Sequence, residues 1–346
     1  MADDTGPVRA AHRFDEQALA AWMETHVEGF SGPLAVRQFQ GGQSNPTYVL
    51  HTPGRDYVLR RKPPGILLKG AHAVDREYRL IDALHPTGFP VPRPHGLCLD
   101  EDVIGTIFYV MEKVEGRNFW DTAFPEVPRE ARPLYFDAMN ATIARLHAID
   151  PVAVGLGSYG KPGNYFERQI GRWSGQYLGD EAAGRIPAMD RLIAWLEGHI
   201  PPGDEAAIVH GDFRCDNMLF HPTEPRVVAV LDWELSTLGH PLADFAYHLM
   251  VYRMPPGFST GLAGLDWAAL NIPSEADYVA AYCRRTGREG IAHLDFYIAF
   301  NLFRLAAIIH GIKGRMLRGT ASSPKAAAAV DQLESVVDLA LAQTRR

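Results

Sequence analysis

The sequence predicts an α+β fold, with a small antiparallel sheet in its first third and a helical region after it. Three observations carry this expectation. Short β-rich segments bounded by turn residues fall between residues 34 and 110. Apolar residues recur at helical spacing in long segments from residue 133 onward. The pattern changes after Val114-Glu115-Gly116. That change places a domain boundary near residues 112 to 117, dividing the chain into 1–113 and 114–346.

The elements follow in order. Phe14, Leu19, Trp22, Met23 and Val27 form an apolar stripe, and Asp15 and Glu16 near its start suit the positive end of a helix dipole. Strands are expected at 34–39, 48–51 and 57–61, then a helix over 71–84 carrying Val74, Tyr78, Ile81 and Leu84. The proline-rich stretch Phe89-Pro90-Val91-Pro92-Arg93-Pro94 ends that helix, and strands at 96–99 and 106–110 complete the sheet. Helices are expected at 133–148, 165–177, 189–199, 242–252, 274–286, 294–312 and 324–341.

Composition narrows the function classes. A length of 346 residues suits roughly two domains, and 47% hydrophobic with 22% charged residues is ordinary for a globular protein. The most apolar long stretch, 296–312, is interrupted by Asn301, Arg304 and His310, so no membrane segment is expected. The acidic start Met1-Ala2-Asp3-Asp4 is unlike a secretory signal, and a cytoplasmic location is the expectation. Cys98, Cys215 and Cys283 have no metal or redox spacing and read as reduced thiols. A net charge of -7 argues against general nucleic-acid binding, which needs a basic face. Local charge differs: residues 247–346 hold eleven Lys/Arg and eight Asp/Glu, a balance of +3. Oligomeric state leaves no mark on the sequence.

The most informative segment is His210-Gly211-Asp212-Phe213-Arg214-Cys215-Asp216-Asn217, followed fifteen residues later by Asp232-Trp233. Phosphoryl transfer needs an Asp that orients or deprotonates a hydroxyl, and an Asn and a second Asp that hold Mg²⁺ against phosphates. Asp212, Asn217 and Asp232 have that order and spacing. Apolar runs at 207–209, 218–220 and 227–231 read as short strands with the polar groups at their mouths. His210 reads as a loop-orienting residue rather than a proton carrier. Asp216 and Arg214 are loop scaffolding or substrate contacts. Glu234 is a neighbour of the metal or of substrate, and Asp244 an acceptor that fixes the loop.

Upstream residues supply candidates for the nucleotide. Gly41 and Gly42, with Ser44 and Asn45, lie between two strands, where exposed backbone amides suit a phosphate; an ordinary hairpin also carries Gly-Gly. Arg60, on the strand at 57–61, suits contact with the α- and β-phosphates, and Glu77 on the next helix is its expected partner. Asp75, Arg76 and Arg79 beside Glu77 leave open that all are solvated helix charges. Glu112 to Val114, at the boundary, offers main chain to an adenine. Arg304 and Arg315 are either phosphate clamps or partners of surface carboxylates. Tyr247, Tyr252, Trp267 and Phe300 either line an acyl group or fill core, with core preferred.

Two patterns mislead. Gly155-Leu156-Gly157-Ser158-Tyr159-Gly160 spells a dinucleotide fingerprint, but no long strand feeds it and Lys161-Pro162-Gly163 follows, so it reads as a loop. His210 and Asp212 with His240 or His248 imitate a two-His, one-carboxylate iron site, which belongs with a β-rich barrel rather than the helices expected here.

Taken together, the motifs resemble the aminoglycoside phosphotransferase and choline kinase superfamily, relatives of protein kinases. His210-Gly211-Asp212 with Asn217, Leu231-Asp232-Trp233-Glu234 and Gly239-His240-Pro241-Leu242-Ala243-Asp244 carry the likeness. It implies a bilobal protein-kinase-like fold and a phosphotransferase that uses ATP and Mg²⁺ on a hydroxyl of a small molecule. It also implies Asp212 as catalytic base, Asn217 and Asp232 as metal ligands, and Arg60 in place of the nucleotide-binding Lys. The strings at 41–48, 58–65 and 72–78 resemble the kinase-like domain fused to some acyl-CoA dehydrogenases, which implies a hydroxyacyl-CoA-like anionic acceptor. A silent nucleotide-binding scaffold and an antibiotic kinase are the alternatives.

Overall fold

The computed structural model describes residues 5–40, 45–63, 73–161, 163–257, 261–319 and 324–345. The chain forms two compact units. The first comprises Met1–Asn118, Val154–Leu156 and Asp216–Ser236, and the second Phe119–Ala153, Gly157–Cys215 and Thr237–Arg346. The chain first leaves the N-terminal unit just after the residue-112 to -117 region. It returns there for the segment that carries Asn217 and Asp232. Asp212 belongs to the second unit.

In the first unit six antiparallel strands lie in the order β1-β2-β3-β4-β6-β5. They are β1 (Thr5–Gly6), β2 (Ala35–Phe39), β3 (Thr47–His51), β4 (Tyr57–Arg61), β5 (Pro94–Cys98) and β6 (Phe108–Glu112). Helix α1 (Glu16–His26) is capped by the Asp15 carboxylate, which accepts from the amides of Gln17 and Ala18. Its Leu19 and Met23 pack with Tyr48, Leu50, Tyr57, Leu59, Phe108 and Val110 on one sheet face. Period-two alternation therefore puts Arg60 on the other face, directly opposite Tyr109 of β6. That face receives Glu77 of α2 (Val74–Leu84). Arg61 points the other way, donates to the Ile104 carbonyl at 3.0 Å and stacks on Phe14.

The hairpin of β8 (Met218–Phe220) and β9 (Val227–Val230) also belongs to this unit. Gly116 packs against it so closely that a Cβ there would sit 2.8 Å from the Phe220 carbonyl oxygen. Asn118 fastens the hairpin's start, donating to the carbonyls of Asp216 and Met218 at 2.7 and 3.1 Å.

The second unit is helical. It contains α3 (Arg132–Ala148), α4 (Tyr165–Gly179), α5 (Pro187–Gly198), α6 (Pro241–Leu249), α7 (Trp267–Leu270), α8 (Glu275–Thr286), α9 (Leu294–Leu317), α10 (Pro324–Asp331) and α11 (Leu333–Gln343). Strands β7 (Ala207–Val209) and β10 (Thr237–Gly239) pair antiparallel within it. Helix α9 is long and apolar enough to cross a bilayer by length and composition, yet 78% of its apolar window is buried inside the protein. Its Asn301, Arg304 and His310 are buried and bond to the carbonyls of Ala243, Gly211 and Gly184. Phe300 and Tyr252 are core residues. Gly155 to Gly160 lies in turns, and the next helix begins only at Tyr165. The three cysteines are buried and free.

The expected helix over 324–341 is two helices, because the chain breaks at Gln332 between α10 and α11. Strands β1 and β10 were not expected; at two and three residues each they are too short to show a period.

Candidate functional site

The loop at 210–213 in the second unit is fixed by one helix. Pro241 at the first turn of α6 and the preceding His240, whose Nδ1 accepts from the Leu242 amide, set where that helix starts. Asp244 then points at the loop, where its Oδ2 accepts from the His210 amide and its Oδ1 from the Gly211 amide, each at 2.8 Å. His147 of α3 adds a third contact through Nε2 at 3.2 Å. Burial alone would raise the Asp244 carboxyl, but the hydrogen bonds from His147 and the His210 backbone outweigh it and hold it below the usual carboxylate range. Gly211 has φ +83°, a left-handed conformation that favours glycine and accounts for the residue between His210 and Asp212.

His210 is fully buried, and its Nδ1 accepts from the Asp212 amide at 3.2 Å, a loop-orienting contact. The Asp212 carboxylate receives a short hydrogen bond from the Tyr247 hydroxyl and lies 3.3 Å from Arg214 Nε. Arg304 donates to the Gly211 carbonyl at 2.6 Å and stacks on the Tyr247 ring. The sequence left Arg304 as either a phosphate clamp or the partner of a surface carboxylate; its guanidinium braces the loop instead. Arg315 is exposed near the end of α9. His248 Nδ1 meets the Phe213 carbonyl at 3.1 Å and its Nε2 the Tyr278 hydroxyl at 2.6 Å. Burial pushes His248 down to about 4, so the ring is neutral, with Nδ1–H donating and Nε2 accepting. Both ring nitrogens are thereby used structurally, which disposes of His248 as an iron ligand.

In the first unit the β8–β9 register pairs Met218 with Val230. Asn217 and Asp232 therefore lie at the same end of the hairpin, and the Leu231 amide donates to the Asn217 carbonyl at 2.8 Å. Asp232 adopts φ +63°, a sparsely populated conformation for a residue with a Cβ. Its Oδ1 lies 2.6 Å from Arg60 Nη2. Glu234 is 3.7 Å from the same nitrogen, and Glu77 Oε2 is 2.9 Å from Arg60 Nε, an ion pair without hydrogen-bond alignment. The Arg60 side chain is 13% exposed and Glu77 only 2%, so water screens the pair little.

Glu77 also accepts from Asn45 Nδ2 at 3.0 Å and from the Tyr109 hydroxyl at 3.1 Å. Burial lowers the Arg60 guanidinium, but Glu77, Tyr109, Asp232 and Glu234 together raise it above its ordinary value. Burial pushes the Glu77 carboxyl up to about 7, and the charges of Asp232 and Glu234 reinforce this against the pull of Arg60. The structure thus joins Asn45, Arg60, Glu77, Asp232 and Glu234 in one network. Tyr109, which sequence reasoning missed, completes it; its place opposite Arg60 in the β4–β6 register was the available signal.

Glu112 ends β6 and its Oε2 accepts from the Arg93 amide at 3.2 Å. It lines a cavity of about 340 Å³ with Arg55, Asp56, Arg93, His95, Lys113 and Glu115, where cations and carboxylates are equal in number. Val114 follows β6, half-buried. Gly41, Gly42 and Ser44 lie outside the described residues.

Among the described residues no group of three His, Cys, Asp or Glu side chains is assembled to hold a metal. Mg²⁺ does not need one, since it takes one or two carboxylates and completes its shell with water and substrate phosphates. Asn217 and Asp232, at one end of a hairpin with the Asp232 side chain 35% exposed, fit that requirement.

The model of the phosphotransferase enzyme family matches residues 35–297. Acyl-CoA dehydrogenase family member 11 from Gallus gallus is 46% identical over 92% of this chain and 42% of its own length. Family member 10 from Mus musculus is 43% identical over 97% of this chain and 32% of its own. The chain therefore spans about a third to two fifths of these curated relatives. Among solved structures, a candidate aminoglycoside phosphotransferase from Ralstonia eutropha is 52% identical with a TM-score of 0.89, covering 96% of this chain and 99% of that one. A choline kinase from Cryptosporidium parvum matches at TM-score 0.65 and 10% identity, covering 96% of each chain. A spectinomycin phosphotransferase solved with ADP and spectinomycin matches at 0.62 and 13%, covering 96% and 99%. These last two share the α+β kinase-like fold. The chain belongs to the phosphotransferase enzyme family.

Proposed function

We propose that this chain transfers the terminal phosphoryl group of ATP, with Mg²⁺, to a hydroxyl of a small anionic molecule such as a hydroxyacyl-CoA. The observation that carries the reading is the fixing of the loop at 210–213. Asp244 holds its backbone by two hydrogen bonds, so Asp212 is presented from a preorganised turn. Asp212 would accept the hydrogen bond of the acceptor hydroxyl and take its proton as the new O–P bond forms and the bond from the γ-phosphorus to the bridging oxygen breaks, releasing ADP. Asn217 and Asp232 would hold the metal, which when bound neutralises phosphate charge. Arg60, kept protonated and oriented by Glu77, would add a second positive charge on the nucleotide side. Arg214 beside Asp212 and the +3 balance of residues 247–346 support an anionic acceptor over a polycationic antibiotic.

One observation favours a nucleotide-binding protein without turnover: Asp232 is already engaged by Arg60 at 2.6 Å, and must release it to ligate a metal. Thermal unfolding with ATP, with Mg²⁺ and with both tests the proposal. The midpoint rises most with both together. No shift under any condition refutes nucleotide binding. An equal shift with and without Mg²⁺ refutes the metal-dependent reading.

A further inference from the structure

Helix α6 touches the loop at 210–213 through three residues on one face. Asp244, Tyr247 and His248 stand at i, i+3 and i+4, one face of a helix. They reach the amides of His210 and Gly211, the side chain of Asp212 and the carbonyl of Phe213, respectively. Asp244 and His248 hold backbone. Tyr247 holds the reacting group, its hydroxyl donating to Asp212 Oδ1.

We propose that Tyr247 is a positioning residue for phosphoryl transfer: its hydroxyl grips one carboxylate oxygen of Asp212 and sets the rotation of that carboxylate toward the acceptor alcohol. The inference rests on the kinase reading of Asp212. A carboxylate turns about its Cβ–Cγ bond as a broad, two-fold rotor, so backbone fixation of the loop leaves its plane undetermined. A donor on one oxygen removes that freedom. Tyr247 is itself held. The Arg304 guanidinium lies 5.2 Å from its ring centroid while donating to the Gly211 carbonyl at 2.6 Å, so one cation ties the ring to the loop. Burial, then the Asp212 charge, raises the phenol above its ordinary value, so Tyr247 remains a donor throughout the working pH range. The charged and titratable groups facing this contact are Arg214 and His210 from the loop, Asp244 from α6 and Arg304 from α9.

The test is Tyr247→Phe, which keeps the ring and removes only the oxygen. With Mg-ATP as the probe and water as the acceptor, kcat falls about tenfold while KM for ATP is unchanged. A role confined to packing would not lower kcat while leaving KM for ATP unchanged. Urea unfolding of Tyr247→Phe, Asp212→Ala and the double variant supplies a second readout: the two losses are non-additive if the contact exists in solution. Wild-type turnover with unchanged kcat in Tyr247→Phe overturns the proposal while the kinase reading stands, as do additive unfolding losses. No turnover by the wild type overturns both.

Discussion

Replacing Asp244 by Ala probes the bracing of the loop at 210–213 most severely. Asp244 is 3% exposed and its carboxylate satisfies two buried backbone amides, His210 and Gly211, at 2.8 Å, besides His147 at 3.2 Å. Alanine leaves both amides without that acceptor. Each buried donor so stranded costs about 1 to 3 kcal/mol, so the amides alone predict a loss of about 2 to 6 kcal/mol. That is a large share of the roughly 5 to 15 kcal/mol by which folded proteins exceed their unfolded states. The depressed carboxyl adds a pH signature. A group whose folded value lies below its unfolded one stabilises above the unfolded value and loses that stabilisation as pH falls, so the wild type loses its advantage over the variant in acid. Urea unfolding followed by circular dichroism across pH measures both effects. A loss under about 1 kcal/mol at neutral pH would refute the claim that Asp244 holds the loop.

Two further outcomes concern the first unit. Arg60→Ala leaves Glu77, Asp232 and Glu234 facing one another without their shared cation, and removing one partner of such a buried pair costs about 3 to 5 kcal/mol. Its melting temperature falls, and the shift caused by Mg-ATP shrinks; a wild-type shift would remove Arg60 from the nucleotide site. Glu77, pushed from 4.5 up to about 7, binds a proton in the folded state that the unfolded chain has released, so stability declines as pH rises from about 4.5 to 7. Glu77→Gln removes that decline relative to the wild type, and parallel stability–pH curves would refute it.

Most elements were legible because their periods are long enough to read. The 16–26, 57–61 and 165–179 segments announce their faces through apolar spacing, and the motif residues stand at strand mouths as such chemistry requires. Partnerships across the fold were harder. Sequence distance hides that Arg60 reaches Asp232, 172 positions away, and that Arg304 reaches Gly211 from α9. Tyr247 read as acyl lining or core because a phenol's apolar ring dominates its pattern, while its hydroxyl acts through a single contact. The helical spacing from Asp244 to Tyr247 was the overlooked signal. The membership of Asp216–Ser236 in the first unit was equally hidden, since chain order says nothing of where a hairpin packs.

The central claim is that Asp212 presents a hydroxyl to the phosphoryl group. Phosphate transfer from Mg-ATP to hydroxyacyl-CoAs, amino alcohols, sugars and aminoglycosides, followed by ³¹P NMR for the wild type and Asp212→Asn, tests it directly. A phosphorylated anionic alcohol is expected with the wild type and none with Asp212→Asn, although the variant still binds ATP. Equal product from both proteins would contradict it.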